Sequence, residues 1–170
     1  MDITIRPVEP AEHTVLGEIT AEAYLGDGLL DFGADDPYLV KLRDVPRRAA
    51  EAEVLVAADT RGRVLGGVTY APPGNPWCDI AAPDEAEFRM LAVSREARGA
   101  GAGEALVRAC IERARATPGV TGIVLSTQPA MHGAHRIYGR LGFVRTPERD
   151  WNPIEDLKLL TYRLELRPLV

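Results

Sequence analysis

A chain of 170 residues, 46% hydrophobic and 26% charged, has the composition of a folded globular protein and not of a disordered one. Twenty basic against twenty-five acidic side chains leave a formal net charge of −5, which argues against non-specific nucleic-acid binding. The expected organisation is a single domain over residues 1–170, large enough to build its core without disulfide or metal staples. Cys78 and Cys110 are far apart and form no CxxC pair, so a reducing compartment is the simpler expectation. The opening MDITIRPVEP lacks the basic start and apolar core of a signal peptide, and no apolar run reaches about 18 residues. The expected location is therefore cytoplasmic, with no membrane partner.

In chain order, Ile3 and Ile5 alternate with polar neighbours in a short strand ended by Pro7. Val15, Leu16, Ile19 and Ala23 recur at helical spacing over 11–24, and Gly26 and Gly28 stop the pattern. Asp36-Pro37 opens a short helix through Tyr38, Leu39 and Leu42, which Pro46 interrupts before a second piece over 47–52. EVLVAAD (53–59) and RVLGGVTYA (63–71) read as strands around the hairpin signal Thr60-Arg61-Gly62. A proline-rich loop with Trp77 and Cys78 leads to an apolar strand over 87–93. From Gly103 to Ala116 one helical face carries Leu106, Val107, Cys110, Ile111 and Ala114, and Pro118-Gly119 ends it. A buried strand over 121–126, a short helix over 133–141 closed by Gly142, a strand from Phe143 to Arg145 and a last strand over 159–166 follow. The helix between the strands at 87–93 and 121–126 requires those two to be parallel, whereas the hairpins on either side are antiparallel. The expected fold class is α/β: a mixed, mostly antiparallel central sheet with one parallel β-α-β crossover.

The chemistry concentrates where strand meets helix. Arg98-Gly99-Ala100-Gly101-Ala102-Gly103 turns the chain with glycines and leads into a helix whose first N–H groups are unpaired, a cradle suited to phosphate or pyrophosphate. A dinucleotide fingerprint starting at Gly99 needs glycine at 104, where the chain has Glu104, and no Gly-Lys-Ser/Thr of a P-loop occurs. The pattern that fits is Arg/Gln-x-x-Gly-x-Gly/Ala, met by Arg98, Gly101 and Gly103. The segment FRMLAVSREARGAGAGEALVRACIERA closely resembles the coenzyme A signature of GCN5-related N-acetyltransferases. About 30 residues later Ala134, Tyr138, Gly142 and Phe143 match that family's second signature, Ala-x-x-x-Tyr-x-x-x-Gly-Phe, and the resemblance spans residues 3–166. One departure is Met131, where many members carry an asparagine that bonds the pantetheine arm.

The resemblance implies acetyl-CoA as cofactor. The strand positions Leu91 and Val93 would face pantetheine, and Arg98, Gly99, Ala100, Gly101, Ala102, Gly103 and Glu104 would hold the pyrophosphate. Glu104 stands in tension with that role, because a carboxylate in the first helical turn repels a phosphate unless it points away. Tyr138 is the candidate general acid for the departing sulfur, set against a phenol that merely packs beneath the helix. Glu87 is the candidate general base for an ammonium acceptor, set against a solvated strand-end residue, with Asp84 and Glu85 as alternates. A backbone N–H of residues 91–93 would serve the oxyanion.

Other positions are weaker. His132 and His135 lack a third ligand, so no metal is implied. Arg136 and Arg140 would approach the cofactor's 3′-phosphate or stay solvated. Tyr24, Trp77 and Trp151 would line an acceptor pocket or belong to the core, and Asp27, Asp31, Asp35, Asp36, Asp79, Asp84 and Glu85 would suit a cationic amine or simply reflect the acidic loops of an acidic chain. The expected activity is direct acetyl transfer to a small-molecule or peptide amine. A homodimer is a family-level expectation, and a catalytically silent CoA-binding sensor or interaction module is the alternative.

Overall fold

The computed structural model describes residues 2–30 and 32–166, so Asp31 lies outside it. Strands β1 (Thr4–Pro7), β2 (Glu53–Ala58), β3 (Val64–Ala71) and β4 (Glu85–Val93) run antiparallel to their neighbours, and β4 pairs in parallel with β5 (Gly122–Thr127). The final strand β8 (Leu157–Glu165) inserts between β5 and β6 (Val144–Arg145), giving the order β1-β2-β3-β4-β5-β8-β6, with β7 (Trp151–Ile154) paired to β8. The expected mixed sheet with one parallel crossover is the one observed.

Helices cover both faces. The crossover helix α4 (Ala102–Ala116) and α5 (His132–Arg140) pack on one, where Leu106, Val107 and Cys110 meet Leu55, Ala57, Phe88 and Ile123. On the other lie α1 (His13–Gly26), α2 (Tyr38–Arg43) and α3 (Val45–Glu51), with Leu16, Ile19 and Val45 against Val54 and Val56. Alternation along β2 therefore feeds both cores, Leu55 and Ala57 to one and Val54 and Val56 to the other. No helix among the described residues is long and apolar enough to cross a membrane.

Two irregularities position the site. Met90 adopts φ 58°, a left-handed conformation uncommon for a residue with a side chain, and the β3–β4 register shifts opposite it, between Gly67 and Thr69. The bulge reverses the alternation of β4. Ala86 and Phe88 point to the α4 core, yet Met90 and Ala92 join the α1–α3 side, while Leu91 and Val93 pack towards α4. The second irregularity is a split. β4 and β5 pair only from Glu85↔Gly122 to Glu87↔Val124; beyond Glu87 β4 stays with β3 and β5 with β8. The two parallel strands thus open like a wedge.

Several boundaries differ from expectation. β4 starts at Glu85, not Glu87, and β8 at Leu157, not Leu159. Pro46 does not interrupt a helix: it lies in the first turn of α3, where proline needs no N–H partner, behind Asp44, whose side chain accepts Arg47 N–H at 3.3 Å. Strand β7 has no apolar alternation to announce it, since Asn152, Pro153 and Ile154 are exposed. It is held by the hairpin through Asp156, at φ 65°.

Candidate active site

Two cavities meet at the wedge. The first, about 730 Å³, runs from Leu91 and Val93 past the glycine loop to α5. Eight of the nine residues expected to hold the cofactor line it; Ala100 does not. Gly99 and Gly101 have φ 84° and 91°, and a Cβ on either would meet nothing within 4 Å. Left-handed glycines thus shape a loop with open space before it. Gly101 is the N-cap of α4 and supplies no side-chain cap, so the N–H groups of the first turn are left for a ligand.

The charges around this loop are arranged. Arg98 donates to both oxygens of Asp27, at 3.1 and 3.0 Å, and so ties the loop to the end of α1. Glu104 is turned to Arg140 at 3.0 Å and Arg108 at 3.5 Å; the Arg140 hydrogen bond lowers its pKa, and the pairing relieves the expected tension with a phosphate. Arg136 and Arg140 both line the groove. Met131, at the departure from the second signature, lines both cavities, and its Sδ accepts from Thr127 Oγ1 at 3.5 Å.

The second cavity, about 670 Å³, lies beyond β4, between α2 and the β7–β8 hairpin. Tyr24, Leu29, Leu91 and Met131 border both cavities and so mark the passage between them. Glu87 and Tyr138 both line the second.

Glu87 is wholly buried, not a solvated strand-end residue. Its Oε1 accepts the backbone N–H groups of Asp79, Ile80 and Ala81 at 3.0, 2.9 and 3.0 Å, and Oε2 has no partner among the described residues. Burial pushes its carboxyl above the ordinary carboxylate range against the pull of those three donors. Tyr138 is 3% exposed, its ring against Phe88, Phe143 and Tyr162, and burial drives its phenol upward so that it stays protonated.

The alternates to Glu87 are placed otherwise. Glu85 is buried and receives Arg149 at 2.8 and 3.0 Å, Arg163 at 2.7 Å and Ala82 N–H at 2.9 Å. Burial opposes its charge, but the Arg149, Ala82 and Arg163 bonds outweigh it and hold the carboxyl at about 2, useless as a base. Asp84 is exposed and accepts from Thr121 Oγ1 at 2.6 Å.

Of the two readings of Trp77, pocket or core, the structure has the core one. Trp77 is 5% exposed, sits in the core with Leu39, Leu42 and Met90, and does not line the cavity. It lies behind the wall, with Lys41 Nζ and Arg89 Cζ 5.7 and 5.6 Å from its ring centroid. Trp151 does line the cavity and donates its indole N–H to Ser126 Oγ at 3.0 Å. Tyr24 stands at the passage. Arg89, Tyr38 and Lys41 escaped notice in the sequence, although Arg89 lies two residues after Glu87 and so on the same strand face.

Of the remaining candidates, His135 Nε2 lies 3.3 Å from Thr127 Oγ1 and 3.1 Å from the Gln128 carbonyl. No cluster of three His, Cys, Asp or Glu suited to a metal occurs among the described residues. Cys110 is core, and burial pushes the Cys78 thiol up to about 11, so neither is an activated nucleophile.

Residues 20–143 match the Acetyltransferase (GNAT) family. An uncharacterised N-acetyltransferase of Schizosaccharomyces pombe is 34% identical over 113 residues, 66% of this chain and 63% of that protein. The chain spans 40–63% of the length of the curated relatives it matches. Among solved structures, one from Corynebacterium glutamicum, described as histone acetyltransferase HPA2 and related acetyltransferase, superposes with a TM-score of 0.74 at 24% identity, all of both chains covered. A phosphinothricin acetyltransferase from Sinorhizobium meliloti in complex with acetyl-CoA gives 0.72 at 22% identity, over 98% of this chain and 89% of that one. At these identities the structural likenesses speak for the fold.

Proposed function

Because the chain belongs to the GNAT acetyltransferase family, we propose that it moves an acetyl group from acetyl-CoA to a primary amine by direct transfer in a ternary complex. The observation that carries this reading is the junction of two cavities at the split between β4 and β5, with Glu87 and Tyr138 on the wall of the second. A glycine loop with unfilled space before it, uncapped helical N–H groups and an unpaired strand edge fit the cofactor's diphosphate and its amide-bearing arm. Residues Arg98 to Glu104 would hold the diphosphate, and the backbone at Leu91 and Val93 the pantetheine.

The thioester supplies an activated acetyl group. The acceptor amine enters the second cavity as an ammonium, and Glu87 takes its proton directly or through water; the raised proton affinity of this buried carboxyl suits the task. An N–H of residues 91–93, on the β4 edge left unpaired by the split, stabilises the carbonyl oxygen as negative charge develops on it. As the nitrogen bonds the acetyl carbon and the C–S bond breaks, Tyr138, whose buried phenol holds its proton, would give it to the departing sulfur, and the second proton shed by the nitrogen would restore the phenol.

Incubating the protein with acetyl-CoA and a panel of amines, and following both CoA thiol release and the acetylated product, tests the proposal. Stoichiometric appearance of both supports it. Calorimetric binding of acetyl-CoA with no turnover on any amine would favour the sensor instead.

A further inference from the structure

Three successive backbone N–H groups, of Asp79, Ile80 and Ala81, converge on Glu87 Oε1 at 3.0, 2.9 and 3.0 Å. Turning three donors inward leaves the carbonyls of the loop to be satisfied from outside. One of them is satisfied by a side chain far away in sequence. Arg149, ahead of β7, donates from a terminal nitrogen to the Ile80 carbonyl at 2.8 Å. That carbonyl and the Ala81 N–H belong to one rigid peptide unit. A cation therefore holds its oxygen end while Glu87 takes its N–H end.

The guanidinium is itself anchored. The same nitrogen reaches Glu85 Oε1 at 2.8 Å and the other terminal nitrogen reaches Oε2 at 3.0 Å, a forked pair that fixes the plane of the group. Glu85 Oε1 also accepts Ala82 N–H at 2.9 Å, so the next peptide of the loop is pinned from the same centre. Arg89 makes no comparable link. It donates to the Trp77 carbonyl at 3.2 Å, and the N–H of that peptide, on Cys78, turns to the Asn75 carbonyl at 3.0 Å.

We infer that Arg149 is a positioning residue for Glu87: it aligns and polarises the Ile80–Ala81 peptide and so favours the carboxylate over the neutral acid. Its link to catalysis rests on the acetyltransferase reading above. A positive charge at the carbonyl end strengthens the N–H at the other end as a donor, and the effect is preserved around a wholly buried carboxyl. Arg149 is thus a counterweight to burial, which favours the neutral acid. Oε2, without a partner among the described residues, is the oxygen left for the proton. Other groups face Glu87 as well. Asp79 and Glu85 oppose its ionisation, but Asp79 is paired with Arg89 at 3.3 Å, and Glu85 with Arg149 and Arg163 at 2.8 and 2.7 Å. Burial keeps Cys78 and Tyr138 protonated, and Asp36 and Lys41 line the same cavity from the α2 side. Removing Arg149 leaves the peptide unheld and Glu85 less compensated. Both changes raise the proton affinity of Glu87.

The test follows the Glu87 carboxyl across pH by carbon NMR of the ligand-free, glutamate-labelled protein, its signal assigned by its loss in Glu87→Gln. In Arg149→Met the Glu87 titration should move up by about one pH unit, an about tenfold change in its proton equilibrium. Arg149→Lys keeps the charge but not the fork, so it should move the titration part of the way, and it keeps the test open if the methionine variant does not fold. Glu85→Gln is the contrast. It removes a negative charge and leaves Arg149 able to hold the Ile80 carbonyl, so Glu87 should stay or move down. A Glu87 titration unchanged in a folded Arg149 variant overturns the inference. An equal upward shift in Glu85→Gln also overturns it, because any loosening of the network would then suffice. With an amine that the panel shows to be acetylated, the acid limb of turnover should move with the NMR midpoint in the Arg149 variants; a limb that stays in place overturns the link to catalysis. No acetylation of any amine removes that link together with the acetyltransferase reading, and the titration still decides whether Arg149 acts on Glu87.

Discussion

Glu87 accepts the backbone N–H of Ile80 at 2.9 Å, and Asp79 and Ala81 donate to the same oxygen, so the proposed general base also shapes the loop beside the second cavity. The two roles use different oxygens: Oε1 takes the loop, and Oε2 is without a partner among the described residues.

Glu87→Gln separates those roles. Glutamine keeps an Oε1 for the three N–H donors but cannot take a proton. Turnover should fall about 10²–10⁴-fold at neutral pH, and the loss should shrink as pH rises and free amine becomes available. The acid limb of the wild-type profile, set by a carboxyl above its ordinary range, should vanish. Stability should move oppositely. A carboxyl whose folded pKa is raised destabilises the fold once ionised, a cost absent below the unfolded value and growing as pH rises through the folded one. Thermal unfolding of the two proteins at acid, neutral and alkaline pH should therefore show a difference that moves in favour of Glu87→Gln with rising pH.

What the sequence disclosed follows from which signals are local. The α4 face and the alternation of β2 repeat at fixed periods, and Gly99 and Gly101 mark left-handed turns, so these were legible. The Met90 bulge was not, because nothing in FRMLAV says where alternation will reverse. Its effect is large, since Arg89 and Met90 both come to line the second cavity. Trp77 illustrates the same limit. An indole in a proline-rich loop reads equally well as pocket or core, and only the packing of Leu39, Leu42 and Met90 around it decides for core. The β7–β8 hairpin supplies a whole wall, of which only the Leu159 end lay in an expected strand; WNPI of β7 has no alternation to announce one.

Gly101→Val should damage cofactor binding without unfolding the protein. At φ 91° a β-branched side chain is strained by about 1–2 kcal/mol, and it projects into the open space before the loop. Gly119, at φ 81° with nothing within 4 Å of where its Cβ would lie, is the control: it turns the chain between α4 and β5 and does not line the groove. Both valine variants should lose similar stability. Calorimetry with acetyl-CoA should show affinity weakened about 10–100-fold for Gly101→Val and unchanged for Gly119→Val. Equal affinities in two folded variants would remove the loop from the cofactor site.

Glu85 offers a stability test independent of catalysis. Its carboxylate joins Arg149, ahead of β7, to Arg163 on β8, and is held at about 2. A depressed folded pKa contributes stability that is complete above the unfolded value near 4.5 and is lost as pH falls through about 2. The span corresponds to about 3 kcal/mol. Glu85→Gln should lower the unfolding free energy at neutral pH by that order, and the two proteins should converge near pH 2. The variant should also loosen the β7–β8 wall, seen as faster amide exchange at Trp151 and Leu159.

Tyr138→Phe tests the other end of the reaction. The ring is fixed by aromatic neighbours at centroid distances of 6.0 Å (Phe88), 5.8 Å (Phe143) and 5.5 Å (Tyr162), contacts that phenylalanine preserves. Fold and acetyl-CoA affinity should therefore change little, because the lost interaction belongs to the transition state. Burial keeps the phenol protonated well above neutral pH, so the wild-type enzyme retains its acid where solvent protons are scarce. The defect in Tyr138→Phe should accordingly persist or grow with rising pH, opposite to that of Glu87→Gln. Acyl donors with a less basic leaving group depend less on a proton delivered to the sulfur. A thioester analogue of acetyl-CoA with a more acidic thiol should hence recover part of the Tyr138→Phe rate and none of the Glu87→Gln rate. Parallel pH profiles for the two variants, or equal rescue of both, would mean that a single group serves both protons.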